Sequence, residues 1–115
     1  MNTRMEYLYR DASNYKSCNQ IIVSGNITEE QKKAIHGTLE AGTYFIPEQI
    51  GLDLYRGWEV SEDDHPFCEL DVEHDFYETD ESVGDEIFTV EDLVAAFVAT
   101  EGKWDAAKYA PEFDE

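Results

Sequence analysis

The stretch FCELDVEHDF, residues 67–76, alternates without a break. Cys68, Leu70, Val72, His74 and Phe76 fall on one face of an extended chain. Phe67, Glu69, Asp71, Glu73 and Asp75 fall on the other. Read as a half-buried strand, it joins two strands further upstream, and the fold class follows: α+β, a small antiparallel sheet of three or four strands with two main helices packed on one face.

Downstream, YETDESVGDE (residues 77–86) is polar and strongly charged, and residues 80–85 are expected to be mobile. Thr89 then caps the strongest helical pattern, TVEDLVAAFVATEG, in which Val90, Leu93, Val94, Phe97 and Val98 recur at helical spacing. Gly102 ends it. Residues 103–109 read as a short further helix before Pro111.

Upstream, MEYLYR (residues 5–10) and QIIVS (residues 20–24) read as strands of an antiparallel hairpin, with DASN as turn chemistry between them. Thr28 followed by Glu-Glu-Gln is a capping box that opens a helix with Ala34, Ile35 and Leu39 inward and Gly42 as its stop. Residues 43–46 (TYFI) resume strand character until Pro47. Irregular chain is expected from 47 to 58, pinned to the core by Ile50, Leu52, Leu54 and Tyr55.

One domain over residues 1–115 is the expectation, with an acidic segment at 59–92 and a short tail at 110–115. No apolar run reaches the ~20 residues that cross a bilayer. MNTRMEYLYRD lacks an apolar h-region, so no signal peptide is expected. Two cysteines fifty residues apart make no disulfide framework and fit a cytoplasmic setting.

Charge is the outlier, at −19. Residues 1–56 carry seven acids and six bases, whereas residues 57–102 carry sixteen acids and no Lys or Arg. A purely anionic segment repels nucleic acid and anionic membranes and steers basic proteins toward itself.

Four chemistries compete for SEDDHPFCELDVEHDFYETDE, residues 61–81. A metal site would draw on His65, Cys68, Asp71 and His74, but a strand points Asp71 away from Cys68 and His74, and paired short spacings are missing. An EF-hand fails because Gly84 falls at the wrong loop position. Carboxylate catalysis lacks an oxyanion hole, a phosphate loop or an Arg clamp. Neither a catalytic residue nor a metal or other cofactor is expected, so the chain reads as no enzyme. Disorder suits 77–86 better than 67–76.

The reading that remains is an acidic surface. Alternate strand positions project about 6.6–6.8 Å apart, and each strand of a duplex carries a phosphate every ~3.4 Å. Glu69, Asp71, Glu73 and Asp75 would form a ladder, continued by Glu59, Glu62, Asp63, Asp64, Glu78, Asp80, Glu81, Asp85 and Glu86. Halophilic acids would be spread over the whole surface, and here residues 1–56 are nearly neutral.

YRDASNYK (residues 9–16), FIPEQIGL (45–52) and EDDHPFCELD (62–71) resemble a group of small acidic proteins of unknown function from bacterial chromosomes and mobile elements. That resemblance implies no activity. In size and charge alone the chain is similar to phage-encoded DNA-mimic inhibitors of host defence, anti-CRISPR and anti-restriction proteins among them. Each stretch also has a plain structural reading: Tyr9, Arg10, Asp11 and Asn14 as a strand end and Asx turn, and Phe45, Ile46, Ile50 and Leu52 as core around a Pro-Gly bend.

The function expected is a non-enzymatic inhibitor that occupies a basic DNA- or RNA-binding groove of a defence complex, a CRISPR effector first. It would bind no nucleic acid and no membrane itself. Alternatives are a generic interaction module using apolar surface (Trp58, Trp104) or the tail at 111–115, and a metal- or acid-dependent hydrolase.

Overall fold

A computed structural model describes residues 1–83 and 89–112. Its longest strand, β1 (Asn2–Arg10), alternates strictly. Thr3, Met5, Tyr7 and Tyr9 are buried, while Arg4, Glu6, Leu8 and Arg10 lie on the opposite, half-open face. β2 (Lys16–Val23) pairs with it antiparallel in the register Leu8↔Cys18. The hairpin is longer than MEYLYR and QIIVS suggest, because Asp11 closes it tightly. Its Oδ1 accepts from the backbone N–H of Ser13 at 2.9 Å and of Tyr15 at 2.8 Å, an Asx turn. Asn14 takes φ 68° there, a conformation that Asn tolerates.

The first helix, α1 (Glu29–His36), starts with the expected capping box: Thr28 Oγ1 accepts from Gln31 N–H, and Thr28 N–H donates to the Gln31 side chain. It stops earlier than Gly42. Gly37 is the C-cap, and the Thr38 hydroxyl donates to the Ile35 carbonyl at 2.7 Å, satisfying a terminal acceptor. Gly42, at φ 73°, instead serves the turn that brings Tyr44 back to Glu40. Ile35 and Leu39 reach the core, but Ala34 is exposed.

Two residues of TYFI form β3 (Tyr44–Phe45), and a 3-10 turn (Pro47–Ile50) follows, ended by Gly51 at φ 85°. Ile50 within that turn and Leu52 beyond it are buried, and Leu54 packs against the core. Tyr55 is 69% exposed, so it does not pin the loop. Its backbone does: Asn19 and Tyr55 exchange hydrogen bonds of 3.0 and 2.7 Å.

FCELDVEHDF does not form one strand. Only β4 (Cys68–Glu69) is extended, a turn occupies 72–74, and β5 (Phe76–Thr79) begins at the stretch's last residue. Asp71 is the reason. It accepts from Glu73 N–H through Oδ1 and from His74 Nδ1–H through Oδ2, and its own N–H donates to Asp75 Oδ2. Short side chains that bond their own backbone compete directly with a ladder. Cys68, Leu70, Val72 and Phe76 are nevertheless buried as the alternation required. His74 is not on that face: its side chain is 76% exposed.

The sheet runs β2-β1-β4-β3, with β5 also on β1, all antiparallel. The second helix, α2 (Val90–Thr100), is capped by Thr89 and buries Val90, Leu93 and Phe97; Val98 is 50% exposed, so its apolar stripe is narrower than expected. Both helices feed the core that receives the odd-numbered residues of β1, around Phe45, which meets Phe97 at 5.2 Å between ring centroids. Residues 103–105 are irregular and 106–109 form a turn, so the expected short helix is absent. Trp104 still packs inward, donating its ring N–H to the Thr38 carbonyl at 2.9 Å. Among the described residues no helix is long and apolar enough to cross a membrane.

Candidate partner-binding surface

With residues 72–74 folded into a turn, the expected ladder of Glu69, Asp71, Glu73 and Asp75 is absent. A longer row takes its place, built by tertiary pairing. The segment from Glu62 to Glu81 is laid antiparallel along β1. Ala12 N–H bonds the Asp63 carbonyl, Leu8 pairs with Glu69, Glu6 N–H bonds the Asp75 carbonyl, Thr3 pairs with Glu78, and Asn2 Nδ2 donates to the Glu81 carbonyl. From Asn2 to Arg10 a strand spans roughly 27 Å at ~3.4 Å per residue.

The thirteen expected site residues are not equivalent along this row. Glu59, Glu62, Glu73, Glu78 and Asp80 are exposed, and their side chains make no hydrogen bond or ion pair among the described residues. Glu69 is held by Arg10 at 2.9 Å and Glu81 lies 3.8 Å from Arg4. Asp63 accepts from the Ser13 hydroxyl at 2.7 Å. Asp85 and Glu86 lie outside the described residues, as does part of the 80–85 stretch expected to be mobile; Tyr77, Glu78 and Thr79, within the same polar run, are strand.

Asp64 is a correction. Its side chain has no exposed surface, so it cannot face a partner. Tyr9 Oη donates to its Oδ1 at 2.5 Å, Trp58 Nε1–H donates to the same oxygen at 3.3 Å, and Ser61 N–H donates to Oδ2 at 2.9 Å. Arg56, its side chain 10% exposed, stands 3.9 Å away and lies over the Tyr9 ring at 4.7 Å. Burial works to raise the Asp64 pKa, but the bonds from Tyr9, Ser61 and Trp58 together with the Arg56 charge hold it below the ordinary carboxylate value. Burial, and then the bond to Asp64, push the Tyr9 hydroxyl up. No local pattern announces this centre, because Tyr9 and Asp64 are 55 positions apart.

The metal-type residues do not converge. His65 is fixed at both ring nitrogens, Nε2 against the Arg10 carbonyl at 2.7 Å and Nδ1 accepting from Phe67 N–H at 3.1 Å. Cys68 is buried, which pushes its thiol strongly up, while His74 points to solvent. Beside the row, a groove of about 640 Å³ sets Lys32, Lys33 and His36 of α1 against Glu69, Asp71, Glu73 and Asp75. Glu29 lines the same groove and pairs with Lys32 at 3.3 Å, so the acids there still outnumber the bases.

Charges within the 71–75 turn shape the pH response. The hydrogen bond with Asp71 raises His74 above 6.5 and lowers Asp71. Asp75 is raised by burial first, and by the charges of Asp71 and Glu6 after it. Carboxylate crowding is therefore secondary to burial there. A raised folded-state pKa gives stability that is present below the unfolded value and lost as pH rises through the folded one. Thermal melts should accordingly give a higher midpoint at pH 5.5 than at pH 8. His74→Gln should shrink that gap; an unchanged gap would remove His74 from the account.

Comparison with protein-family models, with curated proteins and with solved structures returned no match.

Proposed function

We propose that the protein is a non-enzymatic inhibitor that uses its acidic row to occupy a basic DNA- or RNA-binding groove, in a defence complex such as a CRISPR effector. The observation that carries this reading is the course of residues 62–81 along β1. Nine acids other than Asp64, and no Lys or Arg, follow a line about as long as eight phosphates of one duplex strand at ~3.4 Å each. Matching a backbone needs charges in sequence along a line, and pairing with β1 lays the segment along one, with Glu69 and Glu78 on short strands and Asp71, Glu73 and Asp75 around the turn between them. The likeness to small acidic proteins of mobile elements belongs to the same proposal, as does a reducing cytoplasm for the free thiols of Cys18 and Cys68.

Competition tests it. A purified effector ribonucleoprotein, titrated with labelled target duplex at fixed inhibitor, should show an apparent DNA affinity that falls in proportion to inhibitor concentration, with an unchanged plateau. Inhibitor and DNA bound together in a ternary complex would contradict occupation of the groove.

A further inference from the structure

At the Asp63 end of the row, Asp11, Tyr15, Trp58, Ser61 and Asp63 line a cleft of about 300 Å³. Two aromatic rings in tilted contact, with centroids 6.3 Å apart and planes at 58°, form one side of it. Trp58 is held from within: Tyr9 packs on it at 5.8 Å, and its ring N–H is committed to Asp64. Tyr15 is 68% exposed. The polar floor is anionic. Asp11 is 9% exposed, and its Oδ1 takes both turn N–H groups, which leaves Oδ2 without a hydrogen bond among the described residues. Asp63 likewise uses only Oδ2, toward the Ser13 hydroxyl. No Lys or Arg lines the cleft.

Aromatic faces beside carboxylates select a cation, through the ring quadrupole and through charge-assisted hydrogen bonds. The same combination exists one layer deeper, where Arg56 lies over Tyr9 and beside Asp64. A quaternary ammonium has no N–H for the two carboxylates. A planar guanidinium can stack on an indole and keep its fork of donors for them.

We propose that the cleft beside the Tyr15–Trp58 pair receives one arginine side chain of a partner protein, stacked on an exposed ring face and reaching Asp11 and Asp63. The inference rests on the proposed function for who that partner is, but its chemistry stands apart from it. An arginine anchored there would fix the register of the acidic row on a basic groove, which charge attraction alone leaves free to slide.

The test needs no partner. Uniformly ¹⁵N-labelled protein is titrated with N-acetyl-arginine methylamide, and in parallel with the lysine and norleucine analogues. Saturable shifts should be confined to the Trp58 ring N–H and the amides around Tyr15 and Asp63. The arginine analogue should bind tightest, and Tyr15→Ala should weaken it about fivefold. Asp63→Asn, which keeps an acceptor for Ser13, should also weaken it. Equal shifts with norleucine, tighter binding of lysine, shifts spread evenly over the acidic row, or unchanged affinity in both variants would each overturn the proposal. Failure here leaves the DNA competition result standing, and failure of the competition leaves this titration standing.

Discussion

Replacing Asp64 by alanine lowers the melting temperature by about 12–20 °C, the equivalent of roughly 3–5 kcal/mol in a domain of this size. The carboxylate has no exposed surface and serves three donors, Tyr9 Oη, Trp58 Nε1–H and Ser61 N–H. Alanine leaves those donors without their acceptor and leaves Arg56, which is nine-tenths buried, without its counter-charge. Breaking one half of a buried ion pair is far costlier than losing a surface one. Glu62→Gln, two residues away and exposed, should stay within about 0.5 kcal/mol of the parent. Because the folded-state pKa of Asp64 is depressed, its contribution is present above the unfolded carboxylate value and is lost as pH falls through the folded one. The Asp64→Ala penalty should therefore shrink in acid. A penalty under ~1 kcal/mol at pH 7 would mean that the centre holds little together.

Reversing Glu62, Glu73 and Glu78 to lysine weakens partner binding about a thousand-fold and leaves the fold intact. These three side chains are exposed and make no hydrogen bond or ion pair among the described residues, so no internal contact is lost. Coupling across close interfacial charge pairs starts at about 1.5 kcal/mol, and three such pairs account for the factor. Glu69 and Asp71 are poorer choices. Glu69 neutralises Arg10 at 2.9 Å, and Asp71 organises the turn at 72–74, so their reversal would confuse surface with structure. A triple variant that still binds fully would mean that the row is not the contact surface.

Local chemistry made the hairpin and both helix starts legible. The alternation of residues 5–10, the Asx turn at Asp11, the capping box at Thr28 and the N-cap at Thr89 each act over a few residues, and each is present. The same local chemistry misled at FCELDVEHDF, where period-2 alternation competed with Asp71 and Asp75. The hydrophobic half of that pattern held, since Cys68, Leu70, Val72 and Phe76 are buried. The extended half failed, since Asp71 bonds the backbone of its own turn. An Asp at each end of a five-residue DVEHD run was the available signal. The row along β1, the Tyr9–Asp64 centre and the Tyr15–Trp58 cleft were out of reach for another reason. Each joins residues more than forty positions apart, and no spacing in the chain encodes such a meeting.

The salt dependence of binding separates phosphate mimicry from an apolar contact. The affinity of the protein for a purified CRISPR effector ribonucleoprotein would be measured at intervals between 50 and 200 mM monovalent salt. If the acidic row replaces a phosphate backbone, log K falls linearly with log salt, and the affinity drops by about three decades over that range, as for six or more phosphate contacts. A flat line, or binding that strengthens with salt, would show that apolar surface carries the contact and would contradict the mimicry.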